Sequence, residues 1–118
     1  MGKSLVSGEI TFAERPDLPS GAKAYVRLLD TSEADALSSK VAEQVLTDIA
    51  LKANRGEALP FALDAEIKNE RASYTVSVLV DVNGDGEISP GDYINMQSYP
   101  VLTYGFPKHV SVEVKQIS

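Results

Sequence analysis

The chain has no cysteine. A disulfide framework, a cysteine-ligated zinc site and a thiol nucleophile are thereby excluded, and the redox compartment cannot be read from cysteine usage. A single histidine, His109, excludes a multi-histidine metal site as well. No apolar run approaches the roughly 18 residues that a membrane-spanning helix needs. Met1-Gly2-Lys3-Ser4 carries neither the apolar stretch of a signal peptide nor a lipidation cysteine. Two readings stay open there, a cytosolic chain or an exported one whose leader has been removed. Positive charge is short too, with 11 Lys and Arg against 17 Asp and Glu and a net charge of -6. Nucleic acid, which calls for a basic patch, is not the expected partner. A cation suits the balance better, because part of the acidic excess falls in one short stretch.

What is present describes one ordinary soluble domain, residues 1–118. Apolar residues at 43% and charged residues at 24% are too many and too few, respectively, for a disordered chain. Alternation then marks strands. In residues 5–12, Val6, Ile10 and Phe12 share a face. In residues 22–30, Ala24, Val26 and Leu28 do, and in 59–67 Phe61, Leu63, Ala65 and Ile67. The clearest strand is 74–82, with Tyr74, Val76, Val78, Val80 and Val82 on one side. Residues 93–99 and 109–117 follow, the latter with Val110, Val112 and Val114 aligned. Pro16, Pro19 and Gly21 punctuate the first connection, and 100–107 is a second. Residues 41–53 are ambiguous. Val41, Val45 and Ile49 recur every four residues as in a helix, yet with Leu51 they also alternate. Six to seven short strands with turn chemistry between them predict an all-β, single-domain antiparallel β-sandwich.

The acidic stretch is Asp81-Val82-Asn83-Gly84-Asp85-Gly86-Glu87-Ile88-Ser89-Pro90-Gly91-Asp92. Oxygen side chains fall at positions 1, 3, 5, 9 and 12 of a twelve-residue loop, with Gly86 at position 6. This is the spacing of an EF-hand calcium loop. Glycine reaches the backbone conformation that the sharp turn at position 6 requires. Asp81, Asn83 and Asp85 supply side-chain oxygens, Glu87 its carbonyl, Ser89 its hydroxyl or a bridging water, and Asp92 the closing carboxylate. The expected cofactor is Ca²⁺. The flanks read as strands, so the loop sits in a hairpin and not between helices. Asn-Gly and Asp-Gly also make plain hairpin turns without metal. Such a turn does not need acids at both 81 and 92, and clustered carboxylates repel unless a cation offsets them. Asp92, shorter than the usual Glu, predicts weak affinity, of about 10⁻⁵–10⁻³ M.

The order of short motifs resembles a family. Val6-Ser-Gly-Glu-Ile-Thr-Phe12, Leu18-Pro-Ser-Gly-Ala22, Val26-Arg-Leu-Leu-Asp30, Ala34-Asp35, Ala42-Glu-Gln44, Pro60-Phe-Ala-Leu63 and Val101-Leu-Thr103 are similar, in order and spacing, to the YbaY-type lipoproteins and the pilotin-like secretion chaperones (YscW) grouped with them. The resemblance implies a compact transthyretin-like β-sandwich and a cell-envelope location with a lipid anchor on an N-terminal cysteine. It implies no catalytic residues. A secretin-chaperone role belongs to specialised members. It also favours strand for 41–53, since packing on a pleated face can override helix propensity. The anchor cysteine is absent from this chain, and the calcium-type loop is an addition to the family pattern.

The remaining candidates weigh toward structure. His109 reads as a strand-edge or surface residue, and Ser4, Ser7, Ser73 and Ser111 lack a nucleophile-elbow context. Asp64 and Glu66 alternate onto a solvated face. Tyr93, Tyr99, Tyr104 and Phe106 read as core cover over a binding platform. The chain is thus expected to be a non-enzymatic, calcium-binding interaction module that meets a protein partner at an exposed strand edge. The alternative is a calcium-dependent carbohydrate- or polysaccharide-binding module, with Tyr93 and Tyr99 beside the metal.

Overall fold

Alternation is borne out where it was strongest. The computed structural model describes residues 3–31, 39–66, 71–84, 86–95, 97, 99–103 and 108–117. In chain order these form β1 (Lys3–Phe12), β2 (Lys23–Asp30), β3 (Ser39–Leu46), α1 (Ala50–Asn54), β4 (Leu59–Glu66), β5 (Tyr74–Asp81), β6 (Tyr93–Asn95), β7 (Pro100–Val101) and β8 (His109–Gln116). Val6 and Ile10, Ala24 to Leu28 at every second residue, Phe61 to Ala65 likewise, Val76 to Val80, and Val112 with Val114 are buried together. Each strand gives one face to a shared core, which is what a period of two provides.

The layering differs from the expected sandwich. All strands belong to one sheet, in the order β3-β2-β5-β6-β8-β1-β4, with β7 also on β5. The sheet curls into a nearly closed barrel around the core. The joining element is β1, which pairs antiparallel with β4 on one side and parallel with β8 on the other. That parallel pair corrects the all-antiparallel expectation. It links strands that would otherwise form two separate layers. A sandwich and a curled sheet both place alternate residues inside, so periodicity does not separate them.

Gly8 makes the β1–β8 pair. A Cβ there would collide with the Val110 carbonyl oxygen and sit 2.8 Å from Phe61 Cζ. The Phe61 ring, opposite in register on β4, fills the space that the glycine leaves. Residues 41–53 satisfy both sequence readings in turn: strand through Leu46, then the short helix α1. The apolar set of 41–53 divides, with Ile49 buried and Val41 packed against the core. Ala42, Gln44 and Leu46 lie opposite the buried Leu28, Val26 and Ala24, while Val45 and Leu51 are 43% and 69% exposed.

β6 stops after Asn95, and side chains continue its ladder. Asn95 Oδ1 accepts the Val78 N–H at 2.9 Å. The Tyr99 carbonyl accepts from Val76 N at 3.1 Å, and its hydroxyl accepts from Glu113 N at 2.9 Å. The expected strand 93–99 is therefore an interrupted one.

The two ends of the sheet, β3 and β4, face each other. Their Cα atoms come within 8 Å, but no backbone hydrogen bond joins them among the described residues. Gln44 Oε1 bridges them by accepting the Ala62 N–H at 2.8 Å.

Candidate functional site

The 81–92 loop leaves the end of β5 and returns at β6. Asp81 and Asp92 are 0% and 1% exposed, although carboxylates are rarely buried without partners. Both are satisfied by the loop itself. Asp81 Oδ1 accepts from Gly84 N at 3.1 Å and Oδ2 from Gly86 N at 2.7 Å. Asp92 Oδ1 accepts from Val82 N at 2.9 Å, while Oδ2 accepts from Ser89 N at 3.0 Å and Ser89 Oγ at 3.2 Å. Amide donors to a carboxylate are charge-assisted and stronger than neutral pairs.

Gly84, Gly86 and Gly91 have φ of 76°, 77° and 98°, the left-handed region where a side chain would be strained. Gly86 is the position 6 glycine, and its conformation directs its N–H at Asp81. The loop end is clamped to Ile117, just past β8, by Gly91 N to Ile117 O and Ile117 N to Asp92 O, both 2.8 Å.

Of the expected ligands, Asp81, Asp92 and Ser89 are thus tied into the loop's own network. Asn83 and Glu87 are exposed at its rim, and Asp85 lies outside the described residues. Among those residues no three acidic or histidine side chains converge as a metal cluster. Both Asp81 oxygens and Asp92 Oδ1 keep a second lone pair beyond their amide bonds, whereas Asp92 Oδ2 accepts two bonds from Ser89. Ile88 is 64% exposed and takes no part in the core.

The aromatic group divides. Tyr93 is buried and meets Phe12 edge-on with ring centroids 5.2 Å apart. Burial, followed by the nearby Asp17 and Glu14 charges, holds its phenol above the ordinary value. Tyr93 lines a groove of about 350 Å³ with Glu14, Arg15 and Lys115. Tyr99 is half-buried with its hydroxyl engaged. Tyr104 and Phe106 lie outside the described residues.

His109 is exposed as expected, but it has a serine beside it that sequence reasoning missed. The β1–β8 register places Ser7 opposite His109, with Oγ 3.1 Å from Nδ1. The pair lies at the surface. Sequence reasoning also passed over Gln44. The signal was present: a polar residue between Ala42 and Leu46 on an alternation that faces inward.

Arg27, Glu43 and Lys40 form a surface triad at 2.6 and 3.3 Å. The Arg27 hydrogen bond, with help from Lys40 and against partial burial, holds the Glu43 carboxyl below its ordinary value.

The model of the type III secretion system lipoprotein chaperone (YscW) family matches residues 1–114. No curated protein matches the chain. Among solved structures, an alternative pilotin from the type II secretion system of Vibrio cholerae is similar over 98% of each chain, with 26% identity and a TM-score of 0.79.

Proposed function

The chain belongs to the YscW family of type III secretion system lipoprotein chaperones, and from that membership we propose that it is a non-enzymatic, pilotin-like chaperone of the cell envelope whose client is a secretin. The observation that carries this reading is the combined match: a chaperone family over residues 1–114 and a pilotin fold over 98% of the chain. The client meets an exposed strand edge, where main-chain hydrogen bonds supply affinity and alternate side chains supply selection. Deleting the gene and following assembled secretin multimer in membrane fractions tests the role. Loss of multimer, restored by the wild-type chain, is the expected result. Multimer at the usual level in the deletion strain would sink it.

The 81–92 loop has a separate task in this proposal. Ca²⁺ binds at Asp81, Asn83, Asp85, Glu87, Ser89 and Asp92 and acts as a staple on the folded loop. Two buried carboxylates already oriented by amides and a left-handed Gly86 support it. An ion that binds only the folded state raises stability by mass action. Melting in EDTA and in millimolar Ca²⁺ is the test, with a shift of a few degrees expected in wild type and none in Asp81→Asn. No shift in wild type removes the ion from the proposal and leaves the chaperone role standing. A carbohydrate-binding module would need exposed aromatics beside the loop, and the burial of Tyr93 and the engaged hydroxyl of Tyr99 do not favour it.

A further inference from the structure

We propose that the seam between β3 and β4 is the docking groove, and that an extended apolar client segment adds there as an extra strand once Gln44 releases Ala62. The identity of the client rests on the chaperone reading above; the groove rests on the geometry. Unpaired strand edges are templates for another strand. Among the described residues, two such edges face each other with the Gln44 side chain between them. The Gln44 amide does what a peptide carbonyl of a neighbouring strand would do. It occupies a half-buried inward position where its neighbours in the alternation, Ala42 and Leu46, are apolar.

The register limits what the occupant can engage. The Ala62 N–H points into the seam. Along a strand the amides alternate in direction, so those at 60, 64 and 66 point the same way. Residue 60 is a proline and has no N–H. The donors that β4 offers are therefore Ala62, Asp64 and Glu66.

Width sets a condition as well. A strand between two others needs roughly 9.6 Å from edge to edge, twice the usual spacing. Cα pairs of β3 and β4 lie within 8 Å of each other, less than that span, so the seam must widen to admit a strand. The Gln44 bond is what resists that step.

Surface chemistry favours an apolar occupant. Of the four large apolar residues exposed among the described residues, Val45 at 43% is on β3, Leu5 at 52% is on β1 opposite Asp64 of β4, and Leu51 at 69% is on the helix that connects the two edges. At the foot of the seam lies a cavity of about 150 Å³ whose apolar lining is Leu46, Ile49, Leu59 and Pro60. It has the size and lining for an aliphatic anchor side chain.

The test uses the full chain and labelled 15-residue peptides tiling the secretin of the same cell. A soluble peptide of alternating Val and Thr, with Lys at one end and Glu at the other, serves as a client-independent probe. Binding is read by fluorescence anisotropy and its location by amide exchange. The expected result is protection of Ala62, Asp64 and Glu66. Gln44→Ala and the stem-preserving Gln44→Met should bind about fivefold more tightly, since one net hydrogen bond no longer has to break. Val45→Asp should weaken binding. A purely structural Gln44 would give the opposite sign, weaker binding in both variants, and that result overturns the proposal. So does protection confined to other strands. If only the Val–Thr peptide binds, and binds at the seam, the groove stands and the secretin reading falls. If neither probe binds wild type, the groove is overturned.

Discussion

Asp92→Ala isolates the loop network from any ion. The substitution removes the acceptor of the Val82 and Ser89 amides, at 2.9 and 3.0 Å, and of the Ser89 hydroxyl at 3.2 Å. The hydroxyl can turn to water at little cost, because Ser89 is only half-buried. The two amides cannot reorient. Each amide left without a partner costs about 1–3 kcal/mol. Water reaches the half-buried Val82 and Ser89, which favours the lower half, so the sum is about 2–4 kcal/mol. For 118 residues the entropy of unfolding near the midpoint is about 0.25 kcal/mol/K. The melting temperature should therefore fall by roughly 8–16 °C. Thermal unfolding followed by circular dichroism in EDTA is the assay, because chelation leaves only the amide network to be lost. Asp92→Asn keeps one carbonyl acceptor and should fall between wild type and Asp92→Ala. A drop of less than about 2 °C for Asp92→Ala in EDTA, against the amide cost, would refute the view that the loop holds itself together.

Gly8→Ala forces a methyl group against the Val110 carbonyl and the Phe61 ring. It should destabilise by at least about 3 kcal/mol, the upper end of ordinary overpacking, since backbone and ring must both move; a urea midpoint unchanged from wild type would contradict this. Glu43 carries a pH signature. Its carboxyl is held below the ordinary value by Arg27 and Lys40, so its contribution is present above the unfolded-state value and is lost as pH falls through the folded one. The melting-temperature gap between wild type and Glu43→Gln should be small, as exposed pairs are, and should close on the acid side. A gap that widens toward acid would mean the sign is wrong.

Legibility followed the source of each constraint. Inward faces such as Val76, Val78 and Val80 were readable because burial imprints a period of two. The exposure of Val45 was not readable, because an isolated apolar residue on an edge strand looks the same whether it faces the core or the solvent. The single curled sheet was hidden because the parallel β1–β8 contact depends on which strands meet, and alternation carries no record of that. At the loop, the acids at 81 and 92 were legible from spacing alone. Their burial against the amides of Gly84, Gly86, Val82 and Ser89 was not, since it follows from how the glycines turn the backbone. Gln44 was invisible as a bridge because its partner is a main-chain N–H, which every residue but proline offers.

The place of β1 in the sheet also sets a timetable. It comes first in chain order among the described strands, yet its neighbours are β4 and β8. Its contact with His109 spans 102 residues of sequence. Long-range pairing of this kind folds slowly, because loop closure must precede the contacts that compensate for it. A chain emerging from a ribosome or a translocation channel therefore carries β1 unpaired on the β8 side until residues 109–116 are free. The sheet curls fully only once β8 has docked, and during that interval the unfinished chain is itself a candidate for the kind of protection that chaperones provide.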